Sequence, residues 1–126
     1  MTSTPAPKEF LSLELVNGIL KGSLNFETLD LATAKAAVAY RVSSYGDKDY
    51  PLIIDFQNVK HVTKEARVYL ASKEGCNKIK AGAIIVDSTL TKVMANFFLQ
   101  INKPLVPSKL FTDEESAEKW LSNYKA

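Results

Sequence analysis

Cysteine, histidine and tryptophan occur once each in this chain, at Cys76, His61 and Trp120. One cysteine excludes an internal disulfide, and a single cysteine with a single histidine gives no metal-ligand spacing, so neither a stapled scaffold nor a metal site is expected. Glycine is sparse, 5 residues in 126, and forms neither a dinucleotide fingerprint nor a Walker loop, and there is no Gly-x-Ser-x-Gly elbow. No cofactor and no catalytic residues are therefore expected, and the chain reads as a non-enzyme. No apolar run approaches the roughly 20 residues of a spanning helix, and the opening MTSTPAPKEF lacks the apolar core of a signal peptide, so a cytoplasmic location without a membrane span is expected. An excess of one charge is also missing. The net charge is +2 and the pI about 8.6, below the strongly basic range of a nucleic-acid module, and nucleic acid is not expected as a partner.

What is present is an ordinary globular composition, with 46% hydrophobic and 24% charged residues. That suits one domain large enough to bury a core. Residues 1–8 are small, polar and proline-bearing and read as a flexible tail, leaving residues 9–126 as the single domain. In the first part of it Leu11, Leu13 and Leu15 alternate with Ser12 and Glu14, and the pattern resumes from Ile19 after Asn17-Gly18. Asn-Gly favours a two-residue hairpin turn. Counting outward from that turn sets Val16 against Ile19, Leu15 against Leu20, Leu13 against Gly22 and Leu11 against Leu24. The opposite face then pairs Glu14 with Lys21 and Ser12 with Ser23, a complementarity the turn assignment did not use.

The stretch PLIIDFQNVKHVTKEARVYLAS, residues 51–72, organises the rest. Leu52, Ile53 and Ile54 have no polar alternation, as in a central strand covered on both faces, and Asp55 closes it. Thr63 is placed to cap a helix whose Ala66, Tyr69 and Leu70 return on one side. Before this stretch, Asp30 caps a helix with Leu31, Ala34, Val38, Val42 and Tyr45 inward and Lys35 and Arg41 on its outer face. After it, Gly75 reads as a helix stop and AGAIIVD as a second buried strand. Val93, Met94, Phe97, Phe98 and Ile101 mark a broad apolar helix from Leu90 onward. Its arc, widened by Leu90, Ala95 and Leu99, suggests a homodimer surface. A short last strand follows Pro107 at a sheet edge or strand start. Thr112-Asp113-Glu114-Glu115 reads as a capping box that opens a helix with Ala117, Trp120, Leu121 and Tyr124 inward. The expected architecture is α/β: an N-terminal β-hairpin, then alternating helix and strand, with about five strands in a mixed sheet and about four helices.

This order, with a strand ending in an acid, the loop NVKHV, a helix opening at a hydroxyl and the closing FTDEESAEKWL helix, resembles the STAS-type fold of anti-sigma-factor antagonists. It is most similar to the bacterial SpoIIAA-like group described as related to STAS and CRAL-TRIO domains. The resemblance implies a regulatory, protein-binding role without enzymatic activity. In the antagonists an Asp-Ser pair opens the helix after the central strand and carries a phosphate switch. Here Val62, Thr63 and Lys64 stand at those positions, so only Thr63 offers a hydroxyl, and a helix cap is its expected role.

Six basic residues, Lys60, Lys64, Arg67, Lys73, Lys78 and Lys80, face only Glu65 and Glu74 between residues 60 and 80, which places +4 beside the loop. Asp55, Asn58, Lys60, His61, Thr63, Lys64 and Arg67 are therefore the candidate surface for a protein partner or an anion. The alternative reading is a small carrier or sensor holding an apolar or anionic ligand at the same sheet edge. Cys76, flanked by lysines, would be reactive if exposed and a small apolar residue if buried.

Overall fold

The computed structural model describes residues 10–87 and 103–124. The helix expected from Leu90 to Ile101, with the candidate dimer residues Val93, Met94, Phe97, Phe98 and Ile101, lies outside the described residues.

The chain opens with the hairpin β1 (Leu11–Val16) and β2 (Ile19–Leu24), and its register is the one counted outward from the turn. Asn17 and Gly18 have φ of 52° and 81°, the left-handed pair that a two-residue hairpin turn requires. The short β3 (Thr28–Leu29) leads to α1 (Leu31–Tyr45), β4 (Tyr50–Asp55), the equally short β5 (His61–Val62) and α2 (Lys64–Ala71). β6 (Ile79–Ile85), β7 (Ser108–Phe111) and α3 (Glu114–Leu121) follow, α3 ending in a 3-10 turn at Ser122–Tyr124. The main sheet is mixed and five-stranded, in the order β1-β2-β4-β6-β7, with only the β1–β2 pair antiparallel. Three α-helices stand among the described residues where about four were expected for the whole chain.

β4 holds the middle of the sheet, which explains its unbroken apolar run. Pro51 has no N–H to give to a ladder, and the register of the β4–β6 pair shifts between Tyr50 and Pro51, the irregularity that admits a proline in a central strand. One sheet face packs through Leu24 and Ile84 against Ala34 and Val38 of α1, in a core that continues to Ala66 and Tyr69 of α2. The other face buries Ile19, Ile53, Ala81, Ala83 and Ile85 against Ala117 and Leu121 of α3. Small side chains at Ala81, Ala83 and Ala117 let α3 lie close to the strands. Lys21, opposite Glu14 in the register, sends its ammonium to Glu114, at 3.2 Å, and to Glu118 instead, tying α3 to the hairpin.

Four expectations are corrected. The last helix is capped by Asp113, whose side chain accepts from the Ser116 N–H, and not by a capping box of Thr112 and Glu115. Arg41 is not on the outer face of α1. It is buried, because it follows Ala34 and Val38 at helical spacing and so points the same way as they do. The second helix stops at Ala71, capped by Ser72, and Gly75 sits inside the tight turn that follows. The loop NVKHV is not irregular throughout, because β5 pairs in parallel with β3 in a separate two-stranded ribbon. A two-residue strand is too short to show alternation, and the ribbon is held by the Glu27 carbonyl, which accepts from the Lys60 and His61 N–H groups, and by the Thr63 N–H to Leu29 O bond.

The packing of α3 orders its residues by cost. Leu121 is fully buried, whereas Trp120 is half-buried between Phe111 and Tyr124, with ring centroids at 5.7 and 5.1 Å. Leu121→Ala is expected to destabilise by about 2–5 kcal/mol and Trp120→Ala by less, because part of the indole already meets water. Urea midpoints for the two variants check this, and a larger loss at Trp120 would contradict the packing. Two caps make a separate contribution to acid sensitivity. Thr33 N–H donates to Asp30 and Ser116 N–H to Asp113, and these bonds hold both carboxyls below their ordinary range. A carboxyl with a lowered folded pKa lends stability above its unfolded value of about 3.9 and loses it as the pH falls through the folded value. Stability is therefore expected to drop below about pH 4 less steeply in Asp30→Asn/Asp113→Asn, whose amide oxygens still cap, than in the wild type. Parallel pH profiles in the two proteins would refute the assignment.

Candidate functional site

The chain leaves the carboxyl end of β4 at Asp55, and the residues expected to form a surface follow at once. Asp55 is half-buried and accepts from the Gln57 N–H at 2.8 Å, so its carboxylate shapes its own turn. The turn is anchored by the Phe56 N–H, which donates to Ile85 O, and by buried Phe56 and Val59. Asn58 donates through Nδ2 to Asn25 Oδ1 at 2.9 Å, linking the turn to the chain after β2. Thr63 Oγ1 accepts from the Ala66 N–H at 3.2 Å, the cap expected from sequence, and Glu65 lies in the same first turn. Half-buried Arg67 donates from Nη1 to Val62 O at 2.7 Å, bracing the entry to α2.

The seven candidates thus divide by task. Asp55, Thr63 and Arg67 build the turn and the helix start, while Asn58, Lys60, His61 and Lys64 are exposed around them. The basic cluster divides too. β4 and β6 are parallel, with Tyr50 opposite Ile79 and Asp55 opposite Ile85, so Lys78 and Lys80 lie at the far end of the strands from Asp55. Six residues of strand put the two ends about 20 Å apart, beyond a Debye length in physiological salt. Lys60 and Lys64 form the local positive rim. Among the described residues no three of His, Cys, Asp and Glu come together as metal ligands would, and no helix is long and apolar enough to cross a membrane.

A second feature was not anticipated in this form. A cavity of about 110 Å³ lies between α1 and the sheet, bordered by Leu13, Leu52 and Ile54 on the strands and by Ala37, Val38 and Arg41 on the helix. Arg41 donates from Nη1 to Asn77 O at 2.8 Å and from Nη2 to Gly75 O at 3.3 Å, and burial lowers its pKa. The turn that supplies these carbonyls is tight, since a Cβ on Gly75 would stand 2.2 Å from Tyr69 O. Cys76 is buried beside it, with Sγ 3.5 Å from Leu70 O, and so takes the apolar alternative left open by sequence. The signal for a buried Arg41 was available in its helical spacing from Ala34 and Val38. The usual outward placement of arginine outweighed it.

Comparison with known proteins bears on the fold. The chain is similar to an uncharacterised protein of the DUF3478 family from Shewanella loihica PV-4, solved with a SpoIIAA-like fold, at a TM-score of 0.62 and 18% identity over 96% of this chain and 98% of that one. A protein of unknown function from Arthrobacter sp. FB24 shares 29% identity over 88% of this chain and 98% of its own, at a TM-score of 0.31. No curated protein matches. The fold is therefore SpoIIAA-like, as the resemblance implied. The family described as Domain of unknown function (DUF7793) matches residues 13–125, and the chain belongs to that family.

Proposed function

We propose that this protein is a non-enzymatic, regulatory interaction module that binds an acidic surface of a protein partner through Asn58, Lys60, His61 and Lys64. The observation that carries the reading is a division of labour. The groups at this strand end best suited to chemistry, Asp55 and the Thr63 hydroxyl, are committed to the Gln57 and Ala66 N–H groups, whereas Asn58, Lys60, His61 and Lys64 stand exposed around them, with Glu65 as the exposed acid of the same helix turn. The rim is held stiffly by the β3–β5 ribbon and by the Arg67 brace, so little order has to be gained on binding. Lys60 and Lys64 would supply the long-range attraction and raise the association rate.

Charge reversal tests this directly. Lys60→Glu/Lys64→Glu should abolish recovery of the partner in crosslinking pull-downs from the host, and raised salt should mimic it in the wild type. Folding stability should stay within about 0.5 kcal/mol, since both side chains are exposed. Equal recovery with wild type and double variant at low salt would return the rim to a solvated surface. Thr63→Ala provides the contrast: it should lower stability by about 1 kcal/mol through the lost cap and leave binding by the folded protein unchanged. Calorimetric melting checks the first part, and a selective loss of binding without loss of stability would make the hydroxyl a contact or a modification site.

A further inference from the structure

The two edges of the main sheet are built differently. β7, at one edge, has four residues, follows Pro107 directly and carries the exposed Lys109, features that discourage another strand from pairing with it. β1, at the other edge, has six residues, pairs with β2 without a register shift and contains neither proline nor a basic residue. The Asn25 N–H donates to Phe10 O at 2.7 Å, so Phe10 and, by alternation, Ser12, Glu14 and Val16 give their backbone groups to β2. Leu11, Leu13 and Leu15 turn theirs outward, and among the described residues nothing receives them. The side chains of these leucines share the α1 face of the sheet, where Leu15 is 41% exposed. Ser12 and Glu14 stand exposed on the opposite face. Glu14 lacks a cross-strand cation, because Lys21 is turned to Glu114 and Glu118.

We infer that β1 is the docking edge for a second copy of this chain, the two β1 strands pairing antiparallel about a two-fold axis at Leu13. That register sets Leu13 against the partner copy's Leu13, Leu11 against its Leu15 and Ser12 against its Glu14. Each leucine pair exchanges both of its N–H···O bonds, since these are the groups that point outward. Polar complementarity selects the register. The Ser12 hydroxyl of each copy meets the Glu14 carboxylate of the other, the acid that Lys21 leaves without a partner. An axis at Glu14 would oppose two carboxylates, and an axis at Ser12 would carry Leu15 past the start of the partner's strand. The exposed Leu15 comes to lie beside the other copy's Leu11 and loses part of its contact with water. The strand is thus complementary to itself, which favours a second copy over an unrelated strand.

The test is sedimentation equilibrium of the full chain, with amide hydrogen exchange read at the same concentrations. A dimer with a Kd of about 10–100 μM is expected, in keeping with a small edge interface. The amides of Leu13 and Leu15 should exchange about 3- to 10-fold more slowly at 1 mM protein than at 5 μM, while those of β2 stay the same. Charge at position 12 then tests the register. Ser12 is exposed and opposite Ser23 within its own hairpin, so neither a glutamate nor a lysine there strains the fold. Ser12→Glu places an acid against each Glu14 of the pair and should weaken the dimer about 3- to 10-fold, whereas Ser12→Lys should strengthen it to a similar degree. The inference is overturned if the two substitutions act in the same direction or not at all, as they would in a dimer formed through residues 90–101. Protection at Leu13 and Leu15 that does not change with concentration would overturn it too, since the edge would then be covered within one chain or left open. A strict monomer at 1 mM would leave the edge to an extended peptide of another protein and equally refute a second copy. None of these results touches the proposed rim at Lys60 and Lys64, which shares no residue with β1.

Discussion

Covering β4 on both faces is the constraint from which the rest of the structure follows. A strand in the middle of a sheet must give its backbone to two neighbours and its alternate side chains to two separate cores. Ile53 therefore belongs with α3 and its alanine-lined strands, while Ile54 turns to the α1 side, and a helix layer is required on each face. The parallel pairing of β4 with both β2 and β6 demands crossovers long enough to hold those helices, which is why the chain alternates after its opening hairpin. The functional geography is a by-product. The strands end together at Asp55 and Ile85, the turn there must cross to α2, and its exposed residues gather beside a helix start.

Much of this could be read before the structure, and the reasons differ from element to element. The hairpin register was legible because Asn17-Gly18 dictates a turn type and a period-two pattern then leaves no freedom. Asp30 and Thr63 were legible as caps because a short acceptor before an apolar-periodic run has few other uses, whereas at the last helix the Thr112–Glu115 spacing drew the cap one residue early, to the neighbour of Asp113. The β3–β5 ribbon was not, since its stability comes from long-range bonds to Glu27 O and Leu29 O and not from local pattern. Arg41 failed for a different reason. Its spacing pointed inward and its chemistry outward, and a sequence alone does not reveal the carbonyls of Gly75 and Asn77 that make the inward choice tolerable.

The candidate surface shows a related limit. Proximity in sequence grouped the seven residues from Asp55 to Arg67, and the fold assigns them unequal duties. A carboxylate bound to the next turn, or a hydroxyl bound to a helix amide, is chemically quieter than the same group in solvent. The lysine run from Lys60 to Lys80 likewise looked continuous only along the chain. Folding sends its two ends to opposite ends of the sheet.

The distances along the chain between paired strands carry a consequence for the order of events in folding. Val16 meets Ile19 across a single turn, whereas Leu20 must find Leu52, Ile54 must find Ile84, and Ile85 must find Phe111. A hairpin of this kind closes in about 1–10 μs, while pairings separated by some thirty residues must first surrender the entropy of a long loop. The antiparallel corner of the sheet is thus the quick part of the molecule, and the three parallel joins, two of them made by β4, set its pace.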